Sequence, residues 1–242
     1  MKRFTSLCVV VAGVWVTACG GSSTTAPTAP AAMSITPTTS VLVIGQSQPY
    51  STANGTSTDV ITWSSTDPSV LTIDSTGNAT AIAKGVVTIT AAGTTQSATL
   101  QVQVVPNYQG TWTGNTTTAA CTSIGDGFTS YCTQGLGSGQ AFALSLAQTG
   151  LSVSGALTKA EPGGALSGVV SGSIGPGGDI TLTGTLTGVS SGANITARLI
   201  SWNSLATDTR MTGVWAANVT SPQILGIATV QWSLAGVTLA PQ

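Results

Sequence analysis

The sequence predicts an all-β protein with two folded parts: a β-sandwich over residues 33–105 and an eight-stranded antiparallel meander β-barrel over residues 108–242. In the first part, short runs of Val, Ile, Leu and Thr recur at near-regular spacing, separated by Gly, Asp-Pro and Asn-Gly turns. In the second part, apolar residues alternate with Ser, Thr and Gly, which is the period-two pattern of half-buried strands. Only 5% of the residues are charged, a composition typical of extracytoplasmic β proteins rich in Thr, Val and Gly.

The N-terminal segment has the pattern of an export signal. Lys2 and Arg3 precede an apolar run from Leu7 to Val16, which is too short to cross a bilayer, so residues 1–18 are predicted to be a signal peptide. Val16-Thr17-Ala18-Cys19 resembles the lipobox of bacterial lipoproteins. The resemblance implies that Cys19 carries a lipid such as palmitate and anchors the protein to the outer membrane, on its periplasmic or surface face. The alternative is an ordinary secretory peptide in which Cys19 is incidental.

Residues 19–32 contain Gly, Ser, Thr, Ala and Pro but no large apolar residue, so they predict a flexible tether. Four basic and seven acidic residues follow residue 18, and the net charge of this part of the chain is therefore −3. No basic face is available to neutralise phosphates, and this excludes nucleic acid as a partner.

The first folded part contains five predicted strands. They lie near residues 41–44, 60–63, 70–73, 86–90 and 99–104. Strict alternation in the last of them places Leu100, Val102 and Val104 on one face. Trp63 lies in an apolar run and is expected to fill the space between the two sheets.

The motifs of this part resemble the bacterial immunoglobulin-like domain of group 2. They are Val60-Ile61-Thr62-Trp63-Ser64-Ser65, Asp67-Pro68-Ser69-Val70, Gly77, Ala79-Thr80-Ala81, and Gly85 before Val86-Val87-Thr88-Ile89. The resemblance implies a stalk or adhesion module without catalytic residues. Calcium binding by Asp59, Asp67 and Asp74 is an alternative, although Asp in turns usually accepts hydrogen bonds from its own backbone.

The second folded part contains eight predicted strands. They lie near residues 109–117, 140–148, 151–158, 165–174, 179–188, 194–202, 210–219 and 224–236. The short connections favour antiparallel neighbours, and closure into a barrel removes exposed edges. A membrane-spanning barrel would show the same alternation, but aromatic residues are too few for two girdles and a lipid anchor would be redundant.

Gln109-Gly110-Thr111-Trp112 resembles the Gly-x-Trp opening of lipocalin-type and avidin-type barrels. The resemblance implies a barrel with Trp112 in its core, although the last strand lacks the arginine that lipocalins pack over this tryptophan. An alternative function follows, a lipocalin-like binder of a small apolar ligand in the barrel interior. A core filled by Trp112, Trp215 and Trp232 would leave no room for such a ligand.

The connection between the first two barrel strands, residues 118–139, is unusually long. Cys121 and Cys132 form an even pair in an oxidising compartment, which predicts a disulfide; without histidine a zinc site is less favoured. The resulting ring contains Phe128 and Tyr131, which are the candidate binding residues if they are exposed at the barrel mouth. The alternative is that both rings fold back and plug the barrel.

The residues of common catalytic sites are scarce. Histidine is absent, and Glu161, the one glutamate, lies in a predicted hairpin tip where it is expected to be solvated. No catalytic residue, metal or cofactor is therefore predicted. The sequence indicates a noncatalytic cell-envelope lipoprotein whose immunoglobulin-like spacer displays a barrel head for interaction or adhesion. Its predicted partners are the membrane, through the N-terminal lipid, and an unknown protein or polysaccharide. An enzyme of unusual chemistry is the remaining alternative, which clustered carboxylates in a cleft would indicate.

Overall fold

The computed structural model describes residues 31–55, 60–207, 209–234 and 237–240. The predicted signal peptide, Cys19, most of the tether, Asp59 and Asp208 lie outside these ranges. The strands are β1 (Ser34–Thr36), β2 (Val41–Val43), β3 (Ser47–Pro49), β4 (Ser51–Ala53), β5 (Thr62–Ser65), β6 (Leu71–Ile73), β7 (Asn78–Ala81), β8 (Gly85–Ala92), β9 (Ser97–Val105), β10 (Gly110–Ile124), β11 (Gly139–Thr149), β12 (Ser152–Glu161), β13 (Gly164–Ile174), β14 (Ile180–Ser190), β15 (Ala193–Thr207), β16 (Arg210–Thr220), β17 (Ile227–Ser233) and β18 (Val237–Leu239). A 3-10 helix (Asp126–Phe128) and α1 (Thr129–Gly135) lie between β10 and β11.

The first nine strands form a sandwich of small sheets. A four-stranded sheet has the order β2-β9-β8-β5, a three-stranded sheet has the order β3-β7-β6, and β1 pairs with β4. β2 runs parallel to β9, whereas β8 and β5 are antiparallel neighbours in the same sheet. The predicted apolar face of β9 is confirmed, since Val102 and Val104 are buried and Leu100 packs against the same core.

Trp63 lies at the margin of the sandwich core rather than at its centre. Its side chain is half-buried, so the expectation of a central plug was wrong. The fully buried residues Tyr50, Leu71 and Ile89 fill the centre instead. Gly77 has φ 85°, and a Cβ there would approach Trp63 Cε2 to 3.0 Å, so the glycine allows the indole to lie against the turn.

The second part is a closed barrel. Consecutive antiparallel pairing runs from β10 through β17, and β10 closes the sheet by pairing with both β11 and β17. The eighth barrel position, predicted as one strand, is divided between β17 and β18, which both lie between β16 and β10. The predicted fold class, a sandwich followed by an eight-stranded antiparallel barrel, is confirmed.

The barrel interior combines stacked tryptophans with glycines at inward positions. Trp202, Trp215 and Trp232 stand directly opposite one another on β15, β16 and β17, and the centroids of the last two rings are 4.1 Å apart. On the facing wall, inward positions of β12 and β13 include glycines such as Gly155 and Gly172. A Cβ at Gly172 would overlap the carbonyl oxygen of Thr181, so this side chain must be absent for the strands to coil so tightly.

The end of the barrel that faces the sandwich is held by Tyr108. Its hydroxyl donates to the carbonyl oxygen of Gly178 at 2.7 Å and accepts from the amide of Ala206 at 3.0 Å. Burial raises its pKa to about 12. At the same end, Lys84 Nζ and Gln103 Nε2 of the sandwich donate to the carbonyl oxygens of Gly177 and Gly175.

Candidate functional site

The opposite end of the barrel is covered by a segment that we call the disulfide lid, residues 125–138. β10 continues to Ile124 because it pairs with β17 beyond Thr117, so the predicted loop over residues 118–139 begins too early. The lid returns to the barrel where the amide of Gly137 donates to the carbonyl oxygen of Thr118 at 3.0 Å. A disulfide joins Cys121 in β10 to Cys132 in α1, as the sequence predicted.

Beneath the lid lies a group of polar side chains that we call the lid cluster: the buried Lys159, Glu161 and Ser190 and the half-buried Gln140 and Tyr131. Lys159 is 0% exposed and Glu161 is 7% exposed, so the expectation that Glu161 is solvated was wrong. The residues alternate along β12, so both side chains at 159 and 161 point into the barrel. The Lys159 amine donates to Glu161 Oε1 at 2.7 Å.

The Lys159 amine is also in direct contact with Gln140 Oε1. It donates to the carbonyl oxygen of Ala160 at 3.2 Å and lies 5.1 Å from the centroid of the Trp232 ring. The Glu161 carboxylate accepts two further hydrogen bonds, from the Tyr131 hydroxyl at 3.3 Å and the Ser190 hydroxyl at 3.1 Å. The ion pair is therefore surrounded by groups that satisfy its hydrogen bonds.

Desolvation dominates the electrostatics of the lid cluster. Burial lowers the pKa of Lys159, and the neighbouring Glu161 charge opposes this shift only in part. Burial, followed by the Glu161 charge, raises the pKa of Tyr131, which therefore stays a neutral hydrogen-bond donor. Burial therefore makes the charged forms of Lys159 and Tyr131 more costly than they would be in water.

The barrel interior is filled. Trp112, Trp215 and Trp232 are all fully buried, and the prediction that Trp112 lies in the core is confirmed. A cavity of about 30 Å³ remains at the lid cluster, lined among others by Gln140, Glu161 and Trp232. Ligand pockets usually enclose about 300–1,000 Å³. This cavity has room for only one or two water-sized molecules.

The two candidate binding residues differ in their environments. Phe128 is fully buried in the barrel core, which contradicts the hypothesis that its ring is exposed at the barrel mouth. Tyr131 is half-buried, packs edge-on against Phe128 at 5.9 Å between centroids and directs its hydroxyl to Glu161. The lid thus folds back onto the barrel, which is the alternative that the sequence left open.

Two large apolar side chains are exposed at the lid end. Ile124, at the end of β10, is 75% exposed, and Leu225, just before β17, is 90% exposed. The two are neighbours, because Ile124 pairs with Ile227 and a Cβ on Gly125 would lie 3.7 Å from the carbonyl oxygen of Leu225. Both apolar side chains thus lie beside the lid, on the end of the barrel opposite the sandwich contacts.

Asp67 and Asp74, two of the three aspartates that motivated the calcium alternative, accept hydrogen bonds within their own turns. Asp74 Oδ1 accepts from the amide of Thr76 at 2.8 Å and from the amide of Asn78 at 3.0 Å, while Asp67 Oδ1 accepts from the amide of Ser69. In the part of the chain that the structure describes, no group of three or more Cys, Asp or Glu side chains could hold a metal ion. Nor do the described ranges contain a helix long and apolar enough to cross a membrane.

Sequence reasoning missed Lys159, Gln140 and Ser190 as members of one site. One signal was present: Lys159 and Glu161 are two residues apart in a period-two segment, so both occupy the face of Leu157. Extending that strand to Glu161 would have predicted a buried pair.

The comparison with protein families supports the predicted resemblance of the β-sandwich part of the chain. The family of bacterial Ig-like domains (group 2) matches residues 31–105, so the predicted resemblance is confirmed there. Domains of this group are typically non-enzymatic. A search of curated proteins finds no significant match to the chain.

Proposed function

We propose that this chain is a noncatalytic, adhesion-type protein of the cell envelope, in which the immunoglobulin-like part is a spacer and the barrel is the head. A lipid on Cys19 would anchor it to the outer membrane. The match of residues 31–105 to a group of modules used in surface proteins supports the spacer role. The partner in this proposal is a protein or a polysaccharide.

The observation that carries the proposal is the filled barrel interior. Among the described residues, Trp215 and Trp232 stack at 4.1 Å and the cavity at the lid cluster is about 30 Å³, which is far below the volume that a small apolar ligand usually occupies. Recognition by the barrel then has to use its outer surface. The lid end is favoured, since the sandwich contacts the opposite end through Lys84 and Gln103.

The recognition role is tested by binding of the full chain to immobilised polysaccharides and extracellular proteins. The double variant Ile124→Ser/Leu225→Ser removes the two exposed apolar side chains at the lid end, and Val169→Ser is the matched control because Val169 is 75% exposed on the barrel wall. We expect the double variant to lose binding that the wild type and the control retain. Equal binding by all three proteins would refute a role for the lid end.

The anchor is tested separately. Cys19→Ser removes the thiol that the lipid needs, so the full chain should move from the membrane fraction to the soluble fraction. The folded state should be unchanged, as judged by circular dichroism. A Cys19→Ser protein that stays in the membrane fraction would contradict the lipoprotein part of the proposal.

A further inference from the structure

The lid cluster brings a buried amine and a buried carboxylate together with a half-buried carboxamide. Gln140 lies near the start of β11 and Lys159 near the end of β12, and these strands are adjacent in the barrel. Phe142 stands directly opposite Lys159, so Gln140 is its diagonal neighbour on the same inward face. Glu161 follows two residues after Lys159 and is bonded to the amine at 2.7 Å.

We propose that Lys159 and Gln140 are joined by an intramolecular isopeptide bond, formed by the protein itself with Glu161 as the group that carries the proton. The product links two neighbouring strands of the barrel through their side chains. This inference goes beyond the proposed adhesion role and does not depend on it.

The geometry meets the first requirement of the reaction, which is contact between the nucleophile and the amide. The Lys159 amine touches Gln140 Oε1, and a carbonyl carbon lies only about 1.2 Å from its oxygen. The amine is therefore held beside the carbon that it must attack. Both side chains project from packed strands, so the reaction is intramolecular and needs no diffusional encounter.

The second requirement is an uncharged amine. Lys159 is 0% exposed and faces the Trp232 ring, and burial lowers its pKa. The 2.7 Å hydrogen bond from the Lys159 amine to Glu161 Oε1 gives the proton of the amine a direct path to the carboxylate. The neutral amine is the nucleophilic form.

The reaction balances with the groups present. Glu161 first takes one proton from the Lys159 ammonium, and the neutral Lys159 nitrogen then forms a bond to Gln140 Cδ. Glu161 gives this proton to Nε2 and takes a second proton from the attached Lys159 nitrogen; the Cδ–Nε2 bond breaks, and ammonia leaves with its electron pair. The ammonia takes the second proton from Glu161 and departs as ammonium, so the product is a secondary amide, no electron carrier is needed, and Glu161 returns to its initial carboxylate.

The surroundings suit the leaving group and the oxyanion. The cavity of about 30 Å³ touches both Gln140 and Glu161, so it can hold one released ammonia molecule. Thr116 stands directly opposite Gln140 on β10, and its buried hydroxyl has no hydrogen-bond partner among the described residues. This hydroxyl is a donor available to the amide oxygen when it becomes negative.

The test uses the full chain, reduced, alkylated, denatured and digested with trypsin, with masses measured for every peptide. Cleavage sites at Lys84, Lys159 and Arg198 give peptides 85–159 and 160–198 if the amine is free. The proposal expects one peptide, 85–198, lighter than its sequence by one ammonia. Further digestion with chymotrypsin, which cuts between Gln140 and Lys159, should leave their segments joined. Two separate tryptic peptides of full mass would overturn the proposal, and so would a loss of water, which would indicate a bond to Glu161.

Three variants assign the roles. Gln140→Ala removes the electrophile, so both tryptic peptides should appear. Glu161→Gln keeps the shape but cannot take the proton, and the bond should again be absent. Gln134→Ala, at an exposed glutamine beside the same cavity, is the control and should retain the bond. If Gln140→Ala still yields the lighter peptide, the assignment is wrong; the wild-type masses decide the question even if a variant fails to fold.

Discussion

Phe128 provides the sharpest test of how the disulfide lid is attached. Its ring is 0% exposed and belongs to the barrel core, although it is contributed by a 3-10 helix at the rim. Truncation of a buried phenylalanine to alanine usually costs about 3–5 kcal/mol, because transfer energy is lost and a cavity remains. Phe128→Ala should destabilise the barrel by an amount in this range. Ile124→Ala, at a neighbouring side chain that is 75% exposed, should change stability by less than about 0.5 kcal/mol.

Urea unfolding followed by tryptophan fluorescence is the appropriate assay. Four tryptophans lie in the barrel, at positions 112, 202, 215 and 232, so the signal is dominated by this part of the chain. The disulfide should be kept intact in both variants, so that the lid stays tethered. If Phe128→Ala costs no more than Ile124→Ala, the ring is not a core residue, and the hypothesis of an exposed Phe128 would be restored.

Further consequences concern the two parts of the chain separately. Tyr108→Phe should weaken the barrel by about 1–3 kcal/mol, because the amide of Ala206 loses its acceptor. Burial raises the pKa of Tyr108 to about 12, above its unfolded value of 10.0. Its contribution to the unfolding free energy is therefore complete below pH 10 and is lost as the pH rises towards 12. Alkaline unfolding curves of the Phe variant should lack this loss. Cys132→Ser removes the disulfide between two cysteines that are 11 residues apart in the sequence. It should lower the free energy of unfolding by about 2–3 kcal/mol, measured in urea against the oxidised wild type. The pKa of Asp74 is lowered by hydrogen bonds, first from the Thr76 hydroxyl. Its ionised form therefore stabilises the sandwich above the unfolded pKa, and this stabilisation is lost as the pH falls below about 4. Asp74→Ala should flatten the dependence of the unfolding free energy on acid pH, and an unchanged dependence would contradict the turn assignment. Trp63→Ala should cost less than the roughly 3–5 kcal/mol of a fully buried tryptophan, because the side chain is only half-buried; thermal unfolding of the full chain measures this.

Alternation predicted most of the barrel strands because each strand there has one wet and one dry face. The strand predicted near residues 165–174 is observed as Gly164–Ile174, and the pattern alone located it. Strands β1, β3, β4 and β7 were missed, because they are short and contain few of the large apolar residues that marked the equally short β2 and β6. The end of β10 was missed for a related reason: residues 118–124 carry little apolar alternation, and pairing with β17 extends the strand.

The candidate site shows the same limit more clearly. The disulfide between Cys121 and Cys132 followed from composition and compartment, since these are the two cysteines of the predicted folded parts and two cysteines permit only one pairing. The burial of Glu161 did not follow, because a glutamate before Pro-Gly-Gly resembles a solvated hairpin tip. Only the closed barrel and the lid above it show that β12 carries Lys159 and Glu161 inside before the chain turns.

Local pattern by itself determined that this chain is all-β, that residues 33–105 resemble a bacterial immunoglobulin-like module, and that an alternating, Gly-punctuated segment follows. These properties depend on neighbours within a few residues, which a linear sequence displays directly. Tertiary structure alone decided that Phe128 seals the core and that Gln140, from another strand, touches Lys159. Such contacts arise because barrel closure brings distant strands into register and removes water from whatever lies between them, and desolvation then changes the chemistry of ordinary side chains.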